Sequence, residues 1–142
     1  MAHLTAFLRD LSTCEGRIAG ATALMDHVYG SYDPIKHIGA NAWHPRTLSD
    51  NKSRYLWTDG FGVVNYISLA VETGKSHYLQ QAAALIYAVH NTLGRERPGG
   101  RHCQWLGGAS EAHPCAGGLR IGKIEPEGHS DGDGQYYHYL TK

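Results

Sequence analysis

The sequence has no long apolar run, little cysteine and no net charge, and each absence argues against a class of protein. No stretch approaches the roughly 18 apolar residues of a membrane span, and residues 1–10 lack the pattern of a secretory signal. The three cysteines, Cys14, Cys103 and Cys115, form no CxxC pair and predict no disulfide framework. Thirteen basic residues balance thirteen acidic ones, so no net field attracts nucleic acid or an anionic membrane. We therefore expect a cytoplasmic protein with neither nucleic-acid nor membrane partners.

Apolar residues recur at helical spacing in the first half of the chain. Segment 4–29 contains two short apolar stripes, with Gly16 as a predicted break between them. Segment 55–73 is apolar nearly all round, which is typical of a helix buried on every side. Thr58 or Asp59 is the predicted cap of this second helix, and Gly74 is its predicted end.

A further helix follows helix 55–73 after a very short connection. Ser76 is its predicted cap, its apolar positions lie on one face, and Gly94 is its predicted end. The two helices together predict an antiparallel helical hairpin. Residues 95–132 are rich in Gly and predict a long loop, with 119–124 as its one strand candidate. Within this loop, 102–118 reads as an insertion.

The end of the chain repeats part of this pattern. Segment 58–62 (TDGFG) opens the buried helix, and segment 130–134 (SDGDG) resembles it just before a further helical pattern over 133–142. That pattern stops without a cap or a stop residue, so we interpret the chain as a fragment. Repeated hairpins bury their faces only against neighbouring hairpins. The predicted fold class is therefore mostly α.

Two of these segments, with the helices between them, point to a family. Segments 56–62 (LWTDGFG) and 128–137 (GHSDGDGQYY) resemble the six-hairpin glycosidase-like superfamily. Its members are (α/α)6 toroids and include glycoside hydrolases and relatives of N-acylglucosamine 2-epimerase. The resemblance spans about residues 15–142 and implies a partial (α/α) toroid of antiparallel helical hairpins with long Gly-rich loops, in one partial domain over 1–142. A closed toroid needs more helices than this, so the isolated chain is expected to be inactive.

In such toroids, sugars bind where the N-terminal ends of the inner helices meet the preceding loops. The resemblance therefore implies a carbohydrate ligand. The resemblance places seven substrate-binding residues near these helix ends: Trp43, His44, Trp57, Thr58, His129, Gln135 and Tyr136. Aromatic side chains among them, such as Trp57 and Tyr136, can stack on a sugar face.

Hydrolysis of a glycosidic bond is the preferred function. It requires two carboxyl groups on either side of the scissile bond, one as acid and the other as base or nucleophile. Asp59 with Asp131 or Asp133 is the candidate pair, because the repeat places them at neighbouring helix ends. The alternative for Asp59 and Asp133 is that each caps its helix.

Other functions remain open on the sequence alone. A sugar epimerase moves a proton off and onto a carbon, which suits imidazole groups, and His44, His129 and His138 are the candidates. A non-catalytic, truncated helical-repeat module is the alternative outside enzymes. Without the neighbouring helices that close the ring, helix 55–73 would keep an uncovered apolar face, which predicts self-association.

No metal or other cofactor is expected. His102, Cys103, His113 and Cys115 lack the paired spacing of a structural zinc site. A calcium loop that starts at Asp131 would need Gly and Glu where the chain has other residues. Phosphate-binding GxxxxGK[ST] and nucleophile-elbow GxSxG patterns are also missing from the sequence.

Overall fold

Four stretches of the chain are described by the computed structural model: 13–37, 42–46, 54–96 and 104–122. Within them the chain forms helices, turns and loops but no β-strand apart from one antiparallel bridge between Arg95 and Trp105. The predicted mostly α class is thus confirmed for these stretches. The predicted helix over 133–142 lies outside them. No helix in the described part of the chain is long and apolar enough to cross a membrane.

Three α-helices lie in these stretches: α1 (Cys14–Tyr29), α2 (Leu56–Thr73) and α3 (His77–Leu93). The chain divides into two compact units. Unit 1 comprises Met1–Arg46 with Phe61–Ala84, and unit 2 comprises Thr47–Gly60 with Leu85–Lys142. The prediction of a single partial domain stays a prediction.

Helix α1 begins at a side-chain cap and ends at a glycine. The Thr13 Oγ1 atom accepts a hydrogen bond from the backbone N of Gly16 at 2.9 Å. Gly16 therefore lies inside the first turn, and its prediction as a break was wrong because the cap precedes it. At the other end Gly30 has φ 95° and donates its N–H to the Asp26 carbonyl at 2.9 Å.

Helix α2 begins earlier than its sequence predicts. The backbone N of Asp59 donates to the Tyr55 carbonyl at 3.0 Å, so the first turn already includes Thr58 and Asp59. The prediction that either residue caps this helix was therefore wrong. The predicted end is confirmed at Gly74, whose φ of 67° favours glycine and whose N–H binds the Ala70 carbonyl.

Burial of α2 is one-sided, which corrects the prediction of a helix buried on every side. Its covered face includes the residues Asp59, Gly62, Tyr66, Leu69 and Ala70. The opposite face carries five exposed apolar side chains that we call the α2 stripe: Trp57, Phe61, Val64, Ile67 and Val71. The apolar pattern predicted burial all round because it does not show which side of the helix meets a neighbour.

Helix α3 follows α2 after Gly74, Lys75 and Ser76. The Ser76 carbonyl accepts hydrogen bonds from the N–H groups of Leu79 and Gln80, at 3.0 and 3.3 Å. Ser76 thus stands at the predicted start of this helix. Its predicted end is also confirmed, because the helix stops one residue before Gly94.

An aromatic cluster forms the core of unit 1. Tyr66 has no exposed surface, and its ring centroid lies 5.9 Å from that of Tyr29 and 5.8 Å from that of Trp43. The centroid of the Tyr78 ring, from α3, lies 6.4 Å from that of Tyr66. Ring pairs at these separations add to the stability gained by burial.

The ends of α2 and α3 in unit 2 are joined by a short extended segment. Arg120 donates through Nη2 to the Thr92 carbonyl at 2.8 Å, and its backbone N donates to the Leu93 carbonyl at 2.8 Å. The next residue, Ile121, accepts from the N–H of Leu56 at 2.9 Å. The chain before this segment, over 104–118, is a series of tight turns. Most of their backbone hydrogen bonds join residues three positions apart. The interpretation of 102–118 as an insertion stays a prediction.

Two glycines of α2 are expected to respond oppositely to substitution by alanine. A Cβ atom at Gly62 would lie 2.7 Å from Cζ and 2.8 Å from Cε2 of the buried Tyr29 ring. A Cβ atom at Gly60 would meet nothing within 4 Å. We expect Gly62→Ala to destabilise the fold by about 1–3 kcal/mol and Gly60→Ala to stabilise it by about 1 kcal/mol. Urea unfolding of both variants tests this, and equal shifts in one direction would contradict it.

Candidate functional site

A polar pocket of about 350 Å³ opens beside the C-terminal end of α1, in unit 1. Its lining combines one carboxylate, one guanidinium, two imidazoles and two large aromatic rings. The residues are Asp26, Tyr29, Gly30, Ser31, His37, Trp43, His44 and Arg46. Such a mixture provides several hydrogen-bonding groups in one concave space, as ligand sites of proteins do, beside two buried aromatic rings.

The free carbonyl groups at the end of α1 hold the loop that forms the pocket. The backbone N of Arg46 donates to the Tyr29 carbonyl at 2.9 Å, and the Trp43 indole N–H donates to the Gly30 carbonyl at 3.1 Å. The Arg46 Nη2 atom donates to the Asp26 carbonyl at 3.0 Å and also to the His27 carbonyl. A cation at a helix C-terminus is favourable because the last carbonyls carry partial negative charge.

A turn between α1 and this loop orients one of the two imidazoles. The Asp33 Oδ1 atom accepts hydrogen bonds from the N–H groups of Ile35 and Lys36, at 2.9 and 3.3 Å. The Ile35 hydrogen bond is the main reason that the pKa of Asp33 lies below its ordinary value. The backbone N of Asp33 in turn donates to His37 Nδ1 at 2.9 Å. Neutral His37 therefore carries its proton on Nε2.

The carboxyl group of the pocket is perturbed by partial burial. Burial raises the pKa of Asp26, and the charge of His77 opposes that shift. Burial likewise lowers the pKa of His77, as does the charge of Lys75, while Asp26 acts in the other direction. His77 also stacks on the Tyr32 ring, with centroids 4.8 Å apart and planes 6° from parallel. Asp26 therefore stays protonated to a higher pH than a free Asp does.

Two residues that the sequence singled out, Trp43 and His44, line this pocket. Trp43 is buried, whereas His44 is exposed. The sequence reasoning missed Asp26, His37 and Arg46. Asp26 has no motif around it, and only its position one turn before the glycine that ends α1 could have indicated a place near a loop.

The predicted catalytic Asp59 lies in unit 2, in a different setting. Its side chain has no exposed surface, and its Oδ2 atom lies 3.1 Å from Nη1 of the buried Arg54. The Oδ1 atom accepts no hydrogen bond from any described residue. A carboxylate enclosed in this way does not reach a sugar. Its catalytic role stays a prediction, against which its burial argues.

Other predicted site residues divide into exposed ones and ones outside the described residues. Trp57 and Thr58 are both exposed in the first turn of α2. Outside the described stretches lie Asp131, Asp133, His129, Gln135, Tyr136 and His138. No group of three or more metal-ligating side chains occurs in the part of the chain that the structure describes.

Comparison with known proteins identifies no relative of this chain. No family model matches the chain, and neither a curated protein nor a solved structure matches it. The likeness to six-hairpin proteins therefore rests on the residues of this sequence alone.

Proposed function

We propose that this chain contributes helical hairpins to a carbohydrate-active (α/α) toroid, and that the pocket at the end of α1 binds a sugar. The observation that carries the proposal is that Trp43 and His44, selected from the sequence as sugar-binding residues, line one polar pocket together with Asp26 and Arg46. Its volume of about 350 Å³ lies at the small end of the range for ligand sites. That size suits one or two sugar rings better than a long polysaccharide.

Hydrolysis of a glycosidic bond is the reaction that we propose first. Asp26 is the one carboxylate among the described lining residues, and burial raises its pKa as a general acid requires. A second carboxylate is needed roughly 5–10 Å away. Asp131 and Asp133, outside the described residues, are the candidates for that partner. In this proposal Asp26 replaces the enclosed Asp59 as the acid.

An epimerase-like reaction is the second candidate, and one feature of the pocket favours it. Two imidazoles, those of His37 and His44, line the same space. One base that removes a proton and one acid that returns it are what inversion at a carbon needs. The two reactions differ in product, because hydrolysis releases a new reducing end and epimerisation incorporates solvent deuterium at a sugar carbon.

Sugar binding should depend on His44. We expect His44→Ala to weaken binding about tenfold, because a lost hydrogen bond to a polar ligand is worth about 1–1.5 kcal/mol. Saturation-transfer NMR with a panel of mono- and disaccharides measures this on the full chain. His113→Ala is the matched control, since His113 is also exposed but does not line the pocket. The proposal fails if no saccharide binds at millimolar concentration, or if both variants bind equally.

A further inference from the structure

The turn over 33–37 contains a hydrogen bond that depends on the charge of one imidazole. The backbone N of Asp33 donates to His37 Nδ1 at 2.9 Å, so this ring nitrogen must offer a lone pair. In a charged imidazole both ring nitrogens are donors. Two N–H groups would then point at each other, and the Asp33 N–H would lose its acceptor. The His37 ring can therefore hold this position only in its neutral form.

The other hydrogen bonds of this turn do not depend on His37's charge. The His37 N–H donates to the Asp33 carbonyl at 2.9 Å, and the Asp33 carboxylate binds the Lys36 ammonium group at 3.3 Å. The Ile35 hydrogen bond is the main reason that the pKa of Asp33 lies below its ordinary value, so the carboxylate stays charged wherever an imidazole titrates. When His37 gains a proton, the backbone of the turn can persist and only the ring has to move.

Ring contacts do not offset the lost hydrogen bond. The His37 ring lies beside Tyr32, with centroids 5.5 Å apart and planes at 35°. A charged His37 would gain a cation–π attraction there, but the separation is close to the limit of about 6 Å for that interaction. Tyr32 already stacks on His77 of α3. Burial and the charge of Lys75 lower the pKa of His77, against the effect of Asp26, so His77 stays neutral to a lower pH than an ordinary histidine.

We propose that the pocket at the end of α1 is complete only while His37 is neutral, so that acid opens it by turning this one ring away. His37 lines the pocket, and Nε2, which carries the proton of the neutral ring, is the nitrogen that remains for a ligand. Trp43 and Arg46 are held by backbone carbonyls of α1, which do not titrate. The inference rests on the sugar site proposed above and adds its dependence on pH.

The charges around the pocket do not stabilise a charged His37 in acid. Asp26 on α1 attracts an imidazolium, whereas Arg46 in the returning loop repels it, and His44 is a second imidazole in the same space. Burial raises the pKa of Asp26, so its attraction is lost at a higher pH than that of a free Asp. Because the neutral form of His37 makes the hydrogen bond, its contribution is present above the imidazole titration and is lost as the pH falls through it.

The hydrogen bond can be measured on the full chain, labelled with ¹⁵N, without any sugar. A scalar coupling between the Asp33 backbone nitrogen and His37 Nδ1 should be present at about pH 8 and absent at about pH 5. Long-range proton–nitrogen correlations should place the His37 proton on Nε2 at the higher pH. A coupling that is absent at the higher pH, or that persists at the lower one, would overturn the proposal.

Sugar affinity measures the consequence for the pocket. For the wild-type chain we expect a loss of about tenfold between about pH 8 and about pH 5. His37→Asn offers an amide oxygen to the Asp33 N–H and has no proton to gain, so the same ratio should fall to about twofold or less. A loss that Asn causes at both pH values cancels in this ratio. His113→Asn is the matched control, because His113 is exposed and does not line the pocket, and it should keep the wild-type ratio.

His37→Ala answers the same question if the Asn variant does not fold. It has neither ring nor acceptor, so it should bind sugar weakly at both pH values. Wild-type and variant chains with equal ratios would overturn the proposal, because the acid sensitivity would then belong to Asp26 or His44. If no saccharide binds at all, the proposed function fails, and the coupling alone decides whether acid releases the His37 ring.

Discussion

Replacement of Asp59 by alanine is expected to lower the free energy of unfolding by about 3–5 kcal/mol. Asp59 has no exposed surface, and Arg54, its partner at 3.1 Å, is 4% exposed. Removal of the carboxylate would leave the guanidinium charge buried beside a cavity, where water cannot replace the lost partner. The loss is a large share of the total stability of a domain this size, which is roughly 5–15 kcal/mol. Guanidinium chloride unfolding, monitored by circular dichroism, measures the change.

A double variant separates charge from packing at this pair. Arg54→Met combined with Asp59→Leu removes both charges and keeps apolar volume, so we expect it to be more stable than Asp59→Ala alone. A loss below about 1 kcal/mol for Asp59→Ala would contradict the prediction. It would mean that Arg54 reaches water in solution, and Asp59 would then become available for the chemistry that its position in the sequence suggested.

Tyr66→Ala is expected to destabilise the fold by about 3–5 kcal/mol. The Tyr66 ring has no exposed surface and is surrounded by the rings of Tyr29, Trp43 and Tyr78. Alanine would leave a cavity at the centre of this cluster, and the surrounding rings are too stiff to fill it. Thermal unfolding should show a lower Tm, and the sugar binding that we propose for the pocket beside Trp43 should be lost with it.

Tyr66→Phe is the control for the hydroxyl group. The Tyr66 hydroxyl lies 3.5 Å from Nε2 of the buried Gln81, a long hydrogen bond. Burial raises the pKa of Tyr66, so the group stays neutral and loses no charge on substitution. We therefore expect Tyr66→Phe to cost only about 1 kcal/mol. Equal losses for the two variants would show that the hydroxyl contact, not the ring, holds the cluster together.

The candidate site was predicted only in part, for a physical reason. Trp43 and His44 were selected because the resemblance to six-hairpin proteins places the loop before the helix near the sugar. Asp26 and Arg46 do not stand out, because their contribution depends on where the end of α1 meets the returning loop. Asp26 and Arg46 are twenty residues apart in the chain, so no local sequence pattern indicates that they come together.

Some helix boundaries could be predicted from local sequence, and one could not. The ends at Gly74 and Gly94 and the start at Ser76 depend on backbone angles and hydrogen bonds within a few residues, so the pattern predicts them. The start of α2 is different. Leu56 lies against the Ile121 carbonyl, a contact from far along the chain, and the helix begins there rather than at Thr58.

By itself, then, the sequence determined that the chain is helical and where its glycines end the helices, because these are local effects. Only the tertiary structure decided which side of α2 is covered. Apolar residues occur on both sides of that helix, so its pattern does not distinguish Tyr66, which is buried, from Phe61, which is exposed. Only the structure, likewise, shows that the Asp59 side chain is buried against Arg54. Both outcomes depend on which neighbours approach the helix, and burial follows those long-range contacts.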